Sequence, residues 1–280
     1  MDQRIINLFD EYTHKPLPRQ EFIKKLIMLT GSLAAVMTVL PMLESNYAHA
    51  ATVPENHTDI FAEDITYEGD GVIMKGYLVQ PEIKTKAGSV IVIHENRGLT
   101  PHIRDVARRV AQAGFIALAP DALSPFGGTP TDEDEARSLF SKLDTEKNRN
   151  NFDKGFTYLK SLKESNGKIG CVGFCWGGGL ANQLAVHEPS LNAAVAFYGA
   201  QPAATDVPKI KASMLLHYGA LDERINAGIP AYEAALKAAG IKYELFVYEG
   251  AQHAFHNDTA GPRYNEAAAK LAWERTIKLF

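Results

Sequence analysis

The sequence predicts an α/β protein with a mostly parallel central sheet, helices on both faces and an N-terminal β-hairpin. Three observations predict it. From about residue 60 onward, short β-branched runs alternate with longer helical patterns. Ser89-Val-Ile-Val-Ile93 and Phe115-Ile-Ala-Leu-Ala119 are continuously apolar, as strands buried on both faces are. The chain of 280 residues has an ordinary length for one such domain, and it shows no internal repeat and no linker after residue 50.

The elements follow in order. Ile65-Thr-Tyr67 and Val72 to Val79 flank Gly69-Asp-Gly71 and read as the hairpin. After the strand ending at Ile93, Pro101 to Ala113 is amphipathic, and Gly114 stands where helices commonly end. The strand from Phe115 to Ala119 leads into a loop rich in Pro and Gly, from Pro120 to Pro130. Thr131-Asp132 offers an N-cap to a charged helical region that reaches about Lys163 in two pieces. Lys168-Ile-Gly-Cys-Val172 is a strand, and Trp176 to His187 a helix that stops before Pro189. Strands at Leu191 to Phe197, Ala212 to His217 and Lys242 to Tyr248 follow, with helices at Ala227 to Ala239 and Pro262 to Phe280. This alternation dictates right-handed crossovers and places helices on both faces. Residues 51–280 read as one domain.

Composition narrows the function classes. Hydrophobic residues at 46% and charged residues at 22% exclude disorder, collagen and coiled coil. Twenty-nine Lys and Arg against 33 Asp and Glu leave a net charge of −4, without the basic footprint of a nucleic-acid partner. Two cysteines support neither a disulfide framework nor a four-cysteine zinc site.

The first fifty residues differ from the rest. Arg19, Lys24 and Lys25 precede Leu26 to Leu40, an uncharged run of fifteen residues. Pro41 then breaks the run, and Ala48-His49-Ala50 reads as a small-x-small cleavage site. A basic region, an apolar core and such a site predict a signal peptide over residues 1–50, cleaved after Ala50. The expectation is an exported, periplasmic protein that meets the membrane only through this leader. Arg19-Gln-Glu-Phe-Ile-Lys24 resembles a twin-arginine motif with Gln20 in place of the second arginine. The run falls short of the ~20 residues that span a bilayer comfortably. An uncleaved membrane anchor or an accessory helix of a cytoplasmic protein are the alternatives.

The strongest chemical signal is Gly173-Phe174-Cys175-Trp176-Gly177-Gly178-Gly179, between a strand and a helix. A G-x-nucleophile-x-G turn needs glycines because the nucleophile sits on a sharp, strained elbow. Such a turn lifts Cys175 to the carboxyl end of the sheet, where the following helix N-terminus favours a thiolate. Cys171, inside the strand, reads as a buried structural cysteine. An elbow nucleophile takes its acid and then its histidine from later loops. Leu215 to Asp222 is a strand running into a loop that ends at an acid, and Tyr248 to His253 is a strand running into a loop with a histidine. Asp222 and His253 are thus the catalytic candidates, with Glu223 the rival acid and His256 and His217 the rival histidines. His94-Glu95-Asn96-Arg97 follows the strand ending at Ile93, where this architecture places half of an oxyanion hole. The main-chain amides of Asn96 and Trp176 are the candidate donors. Glu95 is a further catalytic candidate, and Arg97 and Tyr198 are candidate substrate-binding residues.

Taken together, His94-Glu95, Gly173 to Gly178, Asp222 and His253-Ala-Phe255 resemble the dienelactone hydrolase family, also called carboxymethylenebutenolidases. The resemblance covers roughly residues 60–280 and implies an α/β-hydrolase fold. It implies a Cys175-His253-Asp222 triad, no cofactor and no metal. It also implies that Glu95 hydrogen-bonds the resting thiol and accepts its proton. Well-known members hold a substrate carboxylate with arginines, one of them four residues after the catalytic histidine; this sequence has Asn257 there. The expected reaction is hydrolysis of a lactone or small ester through a covalent acyl-enzyme. Thioester hydrolysis or acyl transfer on the same triad, or a non-catalytic binding protein that kept the fold, are the alternatives.

Overall fold

The computed structural model describes residues 1–15, 17–47, 52–82 and 85–280. Among them eight strands form one sheet. They are β1 (Ile60–Glu68), β2 (Ile73–Pro81), β3 (Ala87–Ile93), β4 (Ile116–Pro120), β5 (Ser165–Phe174), β6 (Ala193–Phe197), β7 (Ser213–Gly219) and β8 (Tyr243–Tyr248). The spatial order is β1-β2-β4-β3-β5-β6-β7-β8. β1 and β2 pair antiparallel with Glu68 opposite Ile73, and β2 runs antiparallel to β4. Every pair from β4 to β8 is parallel.

The continuously apolar strands feed two cores because successive side chains point to opposite faces. In β3, Val90 and Val92 enter one core, and Ile91 and Ile93 enter the other. The first core is covered by α4 (Pro101–Gln112) through Ile103, Val106 and Val110, and by α10 (Glu266–Leu279) through Ala268 and Ala272. The second is covered by α6 (Thr145–Ser161), α7 (Trp176–His187) and α9 (Ile229–Ala238). Fully burying an Ile or Leu contributes about 1.5–3 kcal/mol, so these faces hold the helices in place.

Local chemistry sets the remaining boundaries. The charged stretch after residue 131 forms α5 (Glu133–Phe140) and α6, with Asp132 and Asp144 accepting at their N-caps. The helix expected from Ala227 to Ala239 is α9, and a short helix that was not expected, α8 (Glu223–Asn226), capped by Asp222, precedes it. The last helix starts at Glu266, later than expected. Pro262 lies in a short 3₁₀ turn, and the Asn265 side chain caps the helix at Ala268 N.

The N-terminal segment departs furthest from expectation. It forms α1 (Gln3–His14), α2 (Arg19–Thr30) and α3 (Leu33–Leu43). The apolar run is interrupted at Gly31, with φ of 85°, and not at Pro41, which lies inside α3. Gly31 adopts the left-handed turn at no steric cost, and the Ser32 hydroxyl caps the next helix at Ala35 N. The axes of α2 and α3 therefore bend by 111°, and no single helix among the described residues is long and apolar enough to cross a membrane. Phe9, Tyr12, Phe22, Leu26, Val36 and Leu43 bury into a third, small core. This bundle docks on the sheet domain: the Asn96 side chain donates to Thr13 O at 2.8 Å, and Arg137 donates to Tyr12 O at 3.0 Å. The cleavage motif Ala48-His49-Ala50 lies outside the described residues.

Candidate active site

β5 ends at Phe174, and α7 starts at Trp176, so Cys175 alone makes the turn. It pays with a left-handed backbone, φ 57° and ψ −114°. A Cβ on Gly173 would fall 1.9 Å from Gly177 O, and one on Gly177 would fall 2.5 Å from His94 O. Glycine is required at both because the elbow is pressed against its own helix and against the loop after β3. Among the described residues only three non-glycine residues have positive φ: Cys175, Tyr198 and Ala254. Tyr198 lines the cavity at Cys175, and Ala254 follows His253, so the strain gathers at one place.

Of the rival acids and histidines, Asp222 and His253 meet: Asp222 Oδ2 lies 2.5 Å from His253 Nδ1. Glu223 is the first residue of α8, in the turn that Asp222 caps. His217 is a core residue, bonded to the Tyr248 hydroxyl at 2.9 Å and facing Thr276, and burial pushes it down to about 3. His256 is stacked on Phe174, and burial, then the charge of His102, drives its imidazole well toward neutral. Cys175 Sγ and ring nitrogens of His253 and His14 all lie within 4.8 Å of one another. His253 Nε2 is buried without a hydrogen-bond partner. Thiolate and imidazole donors this close could also chelate a soft divalent cation such as zinc.

His14 is the residue that sequence reasoning missed. Its Nε2 is 3.1 Å from Cys175 Sγ, and its Nδ1 is 3.0 Å from Asp10 Oδ1. Arg224 Nε holds Asp10 at 3.0 Å. Burial opposes a charge on His14, but the Cys175 sulfur and Asp10 outweigh it and raise its pKa above the ordinary value. The signal was present: Ile5, Phe9 and Tyr12 recur at helical spacing, and Asp10 and His14 stand four apart on one face. A signal peptide over residues 1–50 assigns no role to that face.

Two expectations need correction. Glu95 does not hydrogen-bond the Cys175 thiol here; its Oε2 accepts from Asn257 Nδ2 at 2.7 Å, and His14 takes the place beside the sulfur. Arg97 does not line the cavity at Cys175. Its guanidinium pairs with Glu133 at 2.6 Å, and the positive φ of Gly98 turns the loop behind it. The attraction of a half-buried carboxylate outweighs its neighbourhood in sequence. The cavity, about 600 Å³, is lined instead by His14, Asn96, Cys175, Trp176, Tyr198 and His253, among others. Trp176 is the first residue of α7, so its amide has no partner within the helix. Asn96 faces the same cavity from the loop after β3. Burial, then the charges of Glu95 and Cys175, holds the Tyr198 phenol well above its usual pKa.

A cysteine on a strained strand–helix elbow at the carboxyl edge of this sheet, near an Asp–His pair from later loops, matches the α/β-hydrolase class. Comparison with known proteins narrows it. The chain belongs to the dienelactone hydrolase family, whose model matches residues 74–280. It is 34% identical over 256 residues to a Saccharolobus solfataricus protein named as a carboxymethylenebutenolidase, covering 78% of this chain and 97% of that one. A Methylorubrum extorquens protein named likewise is 28% identical over 278 residues and covers 93% of this chain and 94% of its own, so that match reaches into residues 1–44. A Klebsiella pneumoniae crystal structure described as a dienelactone hydrolase superposes with a TM-score of 0.71 at 30% identity, covering 79% of this chain and 98% of that one.

Proposed function

We propose that this protein hydrolyses lactones or small carboxylic esters through a covalent thioester on Cys175. The Cys175 sulfur attacks the acyl carbon, and the carbonyl oxygen becomes an oxyanion. The main-chain amides of Trp176 and Asn96 stabilise that charge, the first aided by the α7 N-terminus. The C–O bond to the alcohol breaks, the departing oxygen takes up the proton that the thiol gave up, and an acyl-enzyme remains; for a lactone the alcohol stays attached to the acyl group. His253, oriented by Asp222, removes a proton from water, which attacks the thioester and releases the carboxylate.

The observation that carries this reading is the 2.5 Å Asp222–His253 contact, with the second His253 nitrogen buried and unpartnered beside a strained cysteine. A partnerless buried polar nitrogen costs free energy unless a substrate or water uses it. Membership in the family and the named relatives point to the same substrate class.

The test is Cys175→Ala assayed on p-nitrophenyl acetate and on an unsubstituted lactone. Turnover should fall by about 10³-fold or more with little change in stability. Mass spectrometry of the unmodified enzyme, quenched during turnover, should find the acyl group on Cys175. Retained turnover in the variant, or an acyl group elsewhere, would overturn the reading.

A further inference from the structure

The family's expected machinery does not account for His14. This residue comes from the N-terminal bundle, 161 positions away in sequence, yet its Nε2 sits 3.1 Å from the sulfur. It is also built as catalytic histidines are built. Its second nitrogen, Nδ1, lies 2.9 Å from the Asp10 main-chain carbonyl oxygen and 3.0 Å from the Asp10 carboxylate, which is itself held by Arg224. The site thus contains two acid–histidine pairs, Asp222–His253 and Asp10–His14, whose rings meet edge to face at 4.6 Å between centroids. Of the two, only His14 is bonded to the sulfur, and His253 Nε2 is free. The segment does not plug the site, for Tyr12, Thr13, Lys15 and Leu17 form one wall of the open cavity around Cys175.

We propose that His14 is a catalytic residue that carries the Cys175 proton and delivers it to the departing alcohol, while His253 is reserved for activating water. The proposal rests on Cys175 being the nucleophile. In the resting site the S–H bond breaks, and an N–H bond forms at His14 Nε2, giving thiolate and imidazolium. The thiolate forms the S–C bond, the C–O bond of the ester breaks, and the alkoxide takes the His14 proton. In the second half His253 takes a proton from water, the hydroxide adds to the acyl carbon, and the S–C bond breaks to regenerate thiolate. The proton on His253 passes to His14, and the carboxylic acid product releases its own proton to solvent. Two histidines let one be protonated and the other neutral at the same moment, which a single ring cannot do.

The groups that face His14 are Asp10 on its own helix, Cys175 at the elbow, His253 with Asp222 behind it, Arg224 of α8, and the buried Arg263, whose charge acts on both Asp10 and Cys175. Burial pushes Asp10 toward the neutral acid, but His253, His14 and Arg224 hold it ionised, and its negative charge favours imidazolium at His14.

The experiment uses the full chain with a chelator present and the variants His14→Gln and Asp10→Asn. The first readout is the pH dependence of Cys175 alkylation by iodoacetamide, which needs no turnover. The second compares ethyl acetate with p-nitrophenyl acetate, whose leaving group needs no proton. In His14→Gln the alkylation midpoint should move to higher pH. Turnover of the alkyl ester should fall by about 10²-fold, at least tenfold more than that of the nitrophenyl ester. Asp10→Asn should give smaller losses in the same pattern, and it decides the matter if His14→Gln undocks the bundle, as judged by limited proteolysis. An unmoved midpoint with equal losses on both esters would leave His14 as a structural contact only. Faster alkylation and faster turnover of both esters would make the segment an inhibitory cover. Either result overturns the proposal. If Cys175→Ala keeps full turnover, the nucleophile reading fails instead, and the alkylation shift still reports whether His14 governs the thiol.

Discussion

Cys175 shows how a single residue type takes its role from its backbone. A thiol of ordinary pKa is only a few per cent thiolate at neutral pH. Here the same atom sits at a helix N-terminus, beside His14, on a turn with φ of 57°. Cys171, four residues earlier, is fully buried in β5, and burial pushes its thiol above the cysteine range. Glu95, too, takes its role from what packing brings within reach. Its bond to Asn257 ties the loop after β3 to the loop that follows His253. Glu95→Gln should therefore weaken that charge-assisted tie, and the misplaced loops should lower kcat about tenfold. Because His14 and not Glu95 touches the sulfur, the alkylation midpoint of Cys175 should stay where it is. A shifted midpoint would restore Glu95 as the direct partner of the thiol.

At the scale of elements, α1 is held by a few charged contacts over an apolar face. Phe9 packs under the Arg263 guanidinium, and Asp10 reaches Arg224. The two ionisable groups of α1 at the site titrate in opposite senses. The raised pKa of His14 means its share of the docking is fully present below its ordinary value of about 6.5. That share is lost as pH rises through the folded value. Asp10 is held below the carboxylate range although burial alone would raise it, so its share is present above about 3.9 and lost as pH falls. Amide hydrogen exchange of residues 3–14 should thus show greatest protection between these limits and faster exchange on either side. A protection profile flat across pH 3 to 10 would mean that the apolar face alone docks the helix.

The whole molecule brings together residues from five distant parts of the chain: 10–14, 94–96, 173–176, 222–224 and 253–257. A mature chain starting at Ala51 would lack His14 and the wall built by Tyr12 and Leu17. We expect the form with a reactive thiol to be the uncut one. Intact-mass measurement of the most active fraction should find residues 1–50 present. An active fraction that begins at residue 51, with an unchanged alkylation midpoint, would return the segment to the role of a leader.

Much of this was legible before any coordinates. The elbow glycines, the strand–loop–acid and strand–loop–histidine patterns and the apolar strands each encode their outcome within a few residues. Backbone sterics and side-chain periodicity act over that distance, so the family, the fold and the pairing of Asp222 with His253 could be read from local signals. The place of His256, three residues on, is a tertiary outcome: it stacks on Phe174. The fates of Arg97, Glu95 and His14 were decided by tertiary structure alone. Arg97 went to Glu133, Glu95 to Asn257 and His14 to Cys175, partners 36, 162 and 161 positions away. A charge or an imidazole commits to whichever partner packing brings within reach, and no local pattern records which one that will be.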